Sequence, residues 1–298
     1  MGRMSNHVFF SADDFGGCMA ASRRIARYVG KGWIRSVSIF GTCPEPEQYL
    51  RLLPEGSGVG IHLDLTEGRP LSDASKIPLL MGKNGRFHDS FFRLVFLSLT
   101  RRREIEAQAY TEISAQISHI LAHMPPEYAI RIDSHRHFHM IPAVCRAMCR
   151  ALQDSGREVA YIRFPVEQLS VYALTPGVWR YIKPVNLLKV LVLNACGAVN
   201  KQTLQAFGLQ GKSALFCGVM FSGHMTQREV GPVGKKLAKV ARHKGRGLEF
   251  LFHPGWLKPG EPFPDRENPF LSFYESENRR LEARALKGLH DSISEQKR

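Results

Sequence analysis

Val8-Phe9-Phe10-Ser11-Ala12-Asp13-Asp14-Phe15-Gly16-Gly17 is the stretch on which the fold turns. A short apolar run of the kind a buried strand needs ends in two adjacent carboxylates and a flexible turn. Consecutive strand side chains point to opposite faces, so both acids reach one pocket only if the chain bends, which Gly16-Gly17 permits. One carboxylate can then hold a metal while its neighbour stays free as a base. A plainer alternative makes the pair an N-cap and a first-turn acid for a helix beginning at Cys18.

Working outward, Trp33 to Phe40, Val59 to Leu65, Ala129 to Asp133, Val159 to Phe164, Ala214 to Phe221 and Leu248 to Phe252 read as six further strands. Helical segments separate them: Cys18 to Tyr28, Pro44 to Leu53, Asp89 to His123, Pro142 to Gln153, and a basic helix from Lys235 to Lys244. A last helix places Leu281, Ala285, Leu289 and Ile293 on one face. Residues 166–210 show no clean alternation beyond an apolar helix candidate at Asn186 to Cys196 and read as an insertion. Strands alternating with helices imply right-handed parallel βαβ units, whose chemistry gathers at the carboxyl ends of the strands. Asp13, Asp14, His62, His135, His224 and His253 all fall there. An α/β fold, a single-domain irregular seven-stranded (β/α) barrel, brings those ends to one mouth, whereas an open doubly wound sheet spreads them along a crevice.

Three patterns carry chemistry besides the acid pair. In Gly60-Ile61-His62-Leu63-Asp64-Leu65 alternation puts His62 and Asp64 opposite the aliphatic face, although a histidine among aliphatics is often only hydrogen-bonded structure. In Asp133-Ser134-His135-Arg136-His137-Phe138-His139 an extended backbone would put the aspartate and all three histidines on one face, where the imidazoles need a metal or anion. His253-Pro254-Gly255 ends the last strand and turns at once, presenting an imidazole.

Composition bounds the rest. The 298 residues carry 41 Lys and Arg against 27 Asp and Glu, a net charge of +14 that favours anionic surfaces. Six cysteines form no Cys-x-x-Cys pair, which suits reduced, buried thiols in a cytoplasm. The polar start, Met1 to His7, lacks a signal peptide's apolar stretch, and no run reaches the roughly 20 apolar residues of a transmembrane helix. The apolar Phe91 to Leu99 followed by Arg101-Arg102-Arg103 reads as a core helix with a solvated basic end, with a membrane-surface element as the alternative.

Together, Ala12-Asp13-Asp14-Phe15-Gly16, Gly60-Ile61-His62-Leu63 with Thr66-Glu67-Gly68-Arg69-Pro70, the Asp133 to His139 run and His253-Pro254-Gly255 resemble the YdjC-like carbohydrate deacetylase family. The motifs stand in the family's order from Ser11 to Gly255. The resemblance implies an irregular (β/α) barrel of the glycoside hydrolase/deacetylase type, removal of acetyl from an N-acetylated amino sugar, and a divalent metal, Mg2+ or Zn2+. It makes Asp14, His62 and His135 the metal ligands, Asp13 the general base and His253 the general acid. Asp133 would orient His135, while His137, His139, Arg69 and His224 would hold substrate or support the site. Residues 166–210 and Phe221 to Thr226 look more like the hopanoid-type and lipid-linked-sugar members. That implies a lipid-linked substrate, while the apolar and basic segments Phe91 to Arg103 and Asn186 to Cys196 suggest peripheral contact with an anionic membrane at its inner face, the lack of an aromatic-basic stacking pattern speaks against specific nucleic acid, and a homodimer is open. The rivals are a metal-dependent phosphodiesterase or nuclease, suggested by the histidines and the charge, and a non-catalytic sugar- or lipid-binding barrel.

Overall fold

The computed structural model describes residues 8–88, 90–264 and 270–294. The polar start at 1–7 and Asp89, the expected first residue of a helix, lie outside them. Seven strands, β1 (Val8–Phe15), β2 (Ser36–Phe40), β3 (Gly58–Leu63), β4 (Ile130–Ser134), β5 (Val159–Ile162), β6 (Leu215–Cys217) and β7 (Leu248–Phe252), form one sheet. Every pairing is parallel and the order is β5-β4-β3-β2-β1-β7-β6. That is a barrel's cyclic order opened between β5 and β6, so the sheet curls into the expected irregular barrel with one seam. At the seam, Ile162 N donates to Lys212 O at 2.8 Å.

Alternation explains how the sheet carries both a core and a site. Phe10, Ala12, Val37, Ile39, Ile61, Ile132, Phe250 and Phe252 belong to the main apolar core. The alternate residues Ser11, Asp13, Ser38, His62, Asp133 and Glu249 are also buried, and hydrogen bonds or ion pairs join them to one another or to Arg163.

The helices are α1 (Met19–Gly30), α2 (Pro46–Leu50), α3 (Phe91–Thr100), α4 (Arg102–Leu121), α5 (Pro142–Asp154), α6 (Leu169–Ala173), α7 (Pro184–Ala206), α8 (Gln227–His243), α9 (Leu271–Tyr274) and α10 (Glu277–Ser294). α8 begins about two turns before the expected Lys235 and α2 is shorter than the expected Pro44 to Leu53, and two further helices differ in character. The helix expected from 89 to 123 breaks at Arg101, whose φ of −128° and ψ of 42° leave the helical region. Its first part is also not wholly core: α3 buries Leu94 and Leu97, while Phe92, Phe96 and Leu99 are 72%, 62% and 79% exposed. The candidate at Asn186 to Cys196 falls in the first half of the 23-residue α7, whose buried face mixes Asn186, Asn200 and Thr203 with Val190, Leu193 and Leu204. Asn200 Nδ2 donates to Met140 O at 2.7 Å and Asn186 Nδ2 to Met220 O at 3.2 Å, while Val185, Leu188, Leu191 and Val199 face outward. A helix with polar residues on its buried face and apolar ones on its exposed face as well lacks the usual amphipathic signal. Residues 166–210 thus hold α6 and α7 and span the connection from β5 to β6. Among the described residues no helix is long and apolar enough to cross a membrane.

The long loop after β3 is tied down by α4. The buried Glu112 accepts from Leu71 N at 3.0 Å and Ser72 N at 2.9 Å, and Gln108 Oε1 accepts from Leu79 N at 2.7 Å. Glu112→Ala strands two backbone donors and lowers stability by about 1–3 kcal/mol, read from urea unfolding.

Candidate metal centre and active site

β1 runs in register with β7 through Ala12, but its pairing with β2 slips between Ala12 and Phe15, and Asp14 has φ +63°. A slip of this kind bends a strand and re-aims its side chains, and left-handed backbone at a non-glycine residue must be held by its surroundings. Asp13 and Asp14 therefore enter one site. Gly17 completes the bend: a Cβ there would lie 2.2 Å from the Tyr274 hydroxyl, which donates to Asp14 O at 3.3 Å. Neither acid caps α1, because its N-cap is Cys18.

His62 and His135 converge on Asp14. At the end of β3, His62 lies directly across from Asp133 of β4 and donates from Nδ1 to Asp133 Oδ1 at 2.5 Å. This leaves His62 Nε2 buried, without a hydrogen-bond partner, 3.5 Å from Asp14 Oδ1. His135 brings Nδ1 to 3.1 Å from the same oxygen, and its Nε2 stands 3.3 Å from Glu67 Oε1. Asp133 thus orients His62 and not His135, whose Nε2 has Glu67 beside it as a counter-charge, shared with Arg136, but makes no hydrogen bond. Burial pulls the His62 pKa down, but the charges of Asp13 and Asp133 outweigh it and raise the value to about 10. Burial likewise opposes, and Glu67 and Asp14 prevail in, a rise to about 9 at His135.

The other two histidines of the run do not share this face. After β4 the chain does not stay extended: residues 135–140 form a tight turn with Arg136 and His137 at φ +50° and +59°. His139 is satisfied on both sides, donating from Nε2 to Arg163 O at 2.8 Å and accepting at Nδ1 from Ser134 Oγ at 2.7 Å. His137 lies edge-on to Phe216 at 5.9 Å, its Nδ1 buried without a partner; burial and then Arg163 hold its pKa well below the usual value. His253 stands at the end of β7, its side chain 18% exposed and Nδ1 3.6 Å from Glu282 Oε2, and its charge is among those acting on Asp13. His224 turns back on its own loop, Nδ1 lying 2.5 Å from Gly223 O. Arg69 is exposed and packs its guanidinium against Gly85.

Two buried arginines hold the acids. Arg163, just past β5, donates to Asp13 Oδ2 at 2.7 Å and Glu249 Oε1 at 2.8 Å and forms an ion pair with Asp133 Oδ2 at 2.9 Å. Asp13 Oδ1 remains buried and without a partner. Burial raises the Asp13 pKa against the pull of Arg163. Arg279 of α10 pairs with Asp14 Oδ2, donates to Gly255 O at 2.8 Å, and lies 4.1 Å from the Tyr274 ring centroid and 4.3 Å from that of Phe273. Burial would raise the Asp14 pKa, but Arg279 and the two imidazoles hold it well below the carboxylate range.

Donor atoms of Asp14, His62 and His135 lie within 4.8 Å of one another, as do those of Asp13, His62 and Asp133. The first set suits a divalent cation: two imidazole nitrogens face one carboxylate oxygen, and the unpartnered His62 Nε2 points into the gap. The second set is occupied, because Arg163 sits on both carboxylates and Asp133 takes the His62 Nδ1 proton.

The family described as YdjC-like protein matches residues 7–290. The chain belongs to this family. A carbohydrate deacetylase of Danio rerio is 29% identical over 160 residues, covering 53% of this chain and 49% of that protein. One of Mus musculus is 26% identical over 259 residues, covering 83% and 77%, and one of Geobacillus stearothermophilus 33% over 144 residues, covering 47% and 54%. The chain spans about half the length of the Danio rerio and Homo sapiens relatives. A solved structure from Enterococcus faecalis V583, described as a candidate cellobiose-phosphate cleavage protein, matches with TM-score 0.66 at 17% identity over 98% of this chain and 95% of that one. It shares the fold.

Sequence reasoning passes over Arg163, Arg279, Glu67, Glu249 and Glu282 as parts of the site. Arg163 leaves a trace, a charge inside the apolar Tyr161-Ile162-Arg163-Phe164. Arg279 and Glu282 sit in a charged helix and leave none. Replacing Arg163 with Met would leave three buried carboxylates without their countercharge, a loss of about 3–5 kcal/mol, measured by chemical denaturation. Asp133→Asn replaces the anionic acceptor behind the His62 ring with a neutral one, and the affinity of the Asp14, His62 and His135 set for an added divalent cation falls about 10–100-fold, measured by competition with a chromophoric chelator.

Proposed function

We propose that this chain is a metal-dependent hydrolase that removes the acetyl group from an N-acetylated amino sugar. The observation that carries the reading is the convergence of Asp14, His62 and His135 beside Asp13, whose Oδ1 is buried and unpartnered. The relatives named carbohydrate deacetylase favour it over a phosphodiesterase or nuclease. Asp14, His62 and His135 would hold the cation. When bound, a divalent cation supplies Lewis acidity to the acetyl oxygen and acidifies water.

The chain's own residues supply the proton traffic. An amine is a poor leaving group, so hydrolysis needs a base for the attacking water and an acid for the departing nitrogen. Asp13 takes the water's proton at Oδ1: its raised pKa makes it a stronger base than an ordinary aspartate, and Arg163 fixes the other oxygen. His253, partly exposed where His62 and His135 are buried, gives its proton to the leaving nitrogen, and Glu282 accepts from His253 N at 2.7 Å to set the backbone. A lipid-linked amino sugar is the finer form of this reading, supported by the apolar side chains exposed on α3 and α7.

Acetate released from acetylated amino sugars, soluble and lipid-linked, tests the class; nucleic-acid cleavage without acetate release would overturn it. Asp13→Asn lowers turnover by about 10²–10⁴-fold while metal content, measured by mass spectrometry, stays near that of the unaltered protein. His62→Ala loses the metal together with activity, and chelation of the unaltered protein abolishes acetate release until metal is restored.

A further inference from the structure

α3 presents Phe92, Phe96 and Leu99 at i, i+4 and i+7, one stripe of one helix, more than half exposed at each position. The stripe runs into Arg101-Arg102-Arg103. Beyond it, α4 and α5 enclose a groove of about 480 Å³ lined by Arg102, Arg103, Arg146 and Arg150, with Tyr110 on its wall. Among the described residues Glu106 is the single acid lining this groove, 3.3 Å from Arg146 Nε, and Arg150 reaches Asp154 at 3.7 Å. Glu104 is taken by Arg101. Among the described residues, Arg102 and Arg103 form no ion pair. The deacetylation chemistry uses none of these residues.

The placement of the stripe is informative. Phe91 of α3 packs on Phe138 with ring centroids 5.3 Å apart, and Asn200 of α7 bonds Met140 O, so both helices flank the turn that begins with His135. α7 contributes exposed Leu188 and Leu191 with the exposed Lys189, and the exposed Lys183 stands just before its first residue. Apolar side chains beside basic ones, on a chain of net charge +14, match the two layers of an anionic bilayer: acyl boundary and headgroup phosphate.

We propose that α3, assisted by α7, docks the protein on an anionic phospholipid bilayer, with Phe92, Phe96 and Leu99 entering the acyl boundary and the arginine groove between α4 and α5 taking headgroup phosphates. Docking of this kind sets the mouth of the barrel beside the membrane, where a lipid-carried sugar would meet it. The proposal extends the lipid-linked reading above, but it is tested without turnover, so its failure and that of the deacetylase reading are separate.

The test is co-sedimentation of the full chain with vesicles of phosphatidylcholine alone or mixed with phosphatidylglycerol. The unaltered protein pellets with the anionic vesicles and not with the neutral ones. The double change Phe96→Ser and Leu99→Ser, at solvent-facing positions, weakens that binding about tenfold or more, with an unfolding midpoint equal to the parent's as the control for folding. Arg102→Ala with Arg103→Ala weakens it about 30-fold at low salt. Absence of binding to anionic vesicles overturns the proposal, as does equal binding by parent and both variants, which would mean diffuse attraction by net charge. Sedimentation velocity supplies a further check: a dimer lost on Phe96→Ser assigns the stripe to a second copy of this chain and overturns the bilayer.

Discussion

Arg163 sits where the hydrogen-bonded ladder of the sheet stops, and the rest of the structure depends on its buried charge. β5 and β6 are the edges of the curled sheet, so backbone pairing alone does not close the barrel. From the β5 side of this seam the guanidinium reaches Asp13 of β1, Asp133 of β4 and Glu249 of β7. Tyr161 adds a hydroxyl bond to Glu249. A charge so deeply buried is tolerated only when paired and hydrogen-bonded, and here it meets three carboxylates. The same contacts that join the strands hold the proposed base and, through Asp133, the ring of His62.

The donor atoms of the candidate metal centre are directed by what happens at their far ends. Asp14 gives one oxygen to Arg279, His62 one nitrogen to Asp133, and His135 turns one nitrogen to Glu67. Each group is left with one atom aimed at the same gap. Partners of this kind fix ring orientation and tautomer. α10 takes part although it is remote in sequence, since Arg279 backs Asp14 while Glu282 holds the backbone of both His253 and Gly223. The last helix of the barrel is thus part of its mouth.

Legibility in the sequence followed the physics of each position. Strand ends were readable because an apolar run stops at a polar residue and a turn, as at Asp13-Asp14 before Gly16-Gly17 and at His253-Pro254-Gly255. β7 spans Leu248–Phe252 as expected, and Asp14, His62 and His135 do come together. The Asp133 to His139 run misleads, because a local pattern assumes continued extension, whereas left-handed backbone at Arg136 and His137 spends His139 on structural hydrogen bonds. α7 misleads for the opposite reason: its buried asparagines bond carbonyls of Met140, Met220 and the chain around them, partners visible only after folding.

By itself, the sequence determined the parallel α/β architecture and the residues at the strand ends, because burial and alternation act within a few neighbours along the chain. Only the tertiary structure decided which atoms of those residues are spent and which remain free. That depends on Arg163, Arg279, Glu67 and Glu282, charged side chains brought from distant segments, whose burial is tolerable only beside the partners the fold supplies. The two exposed helix stripes belong to the same class: an apolar residue's side of a helix is settled by what packs against it, not by its own hydrophobicity.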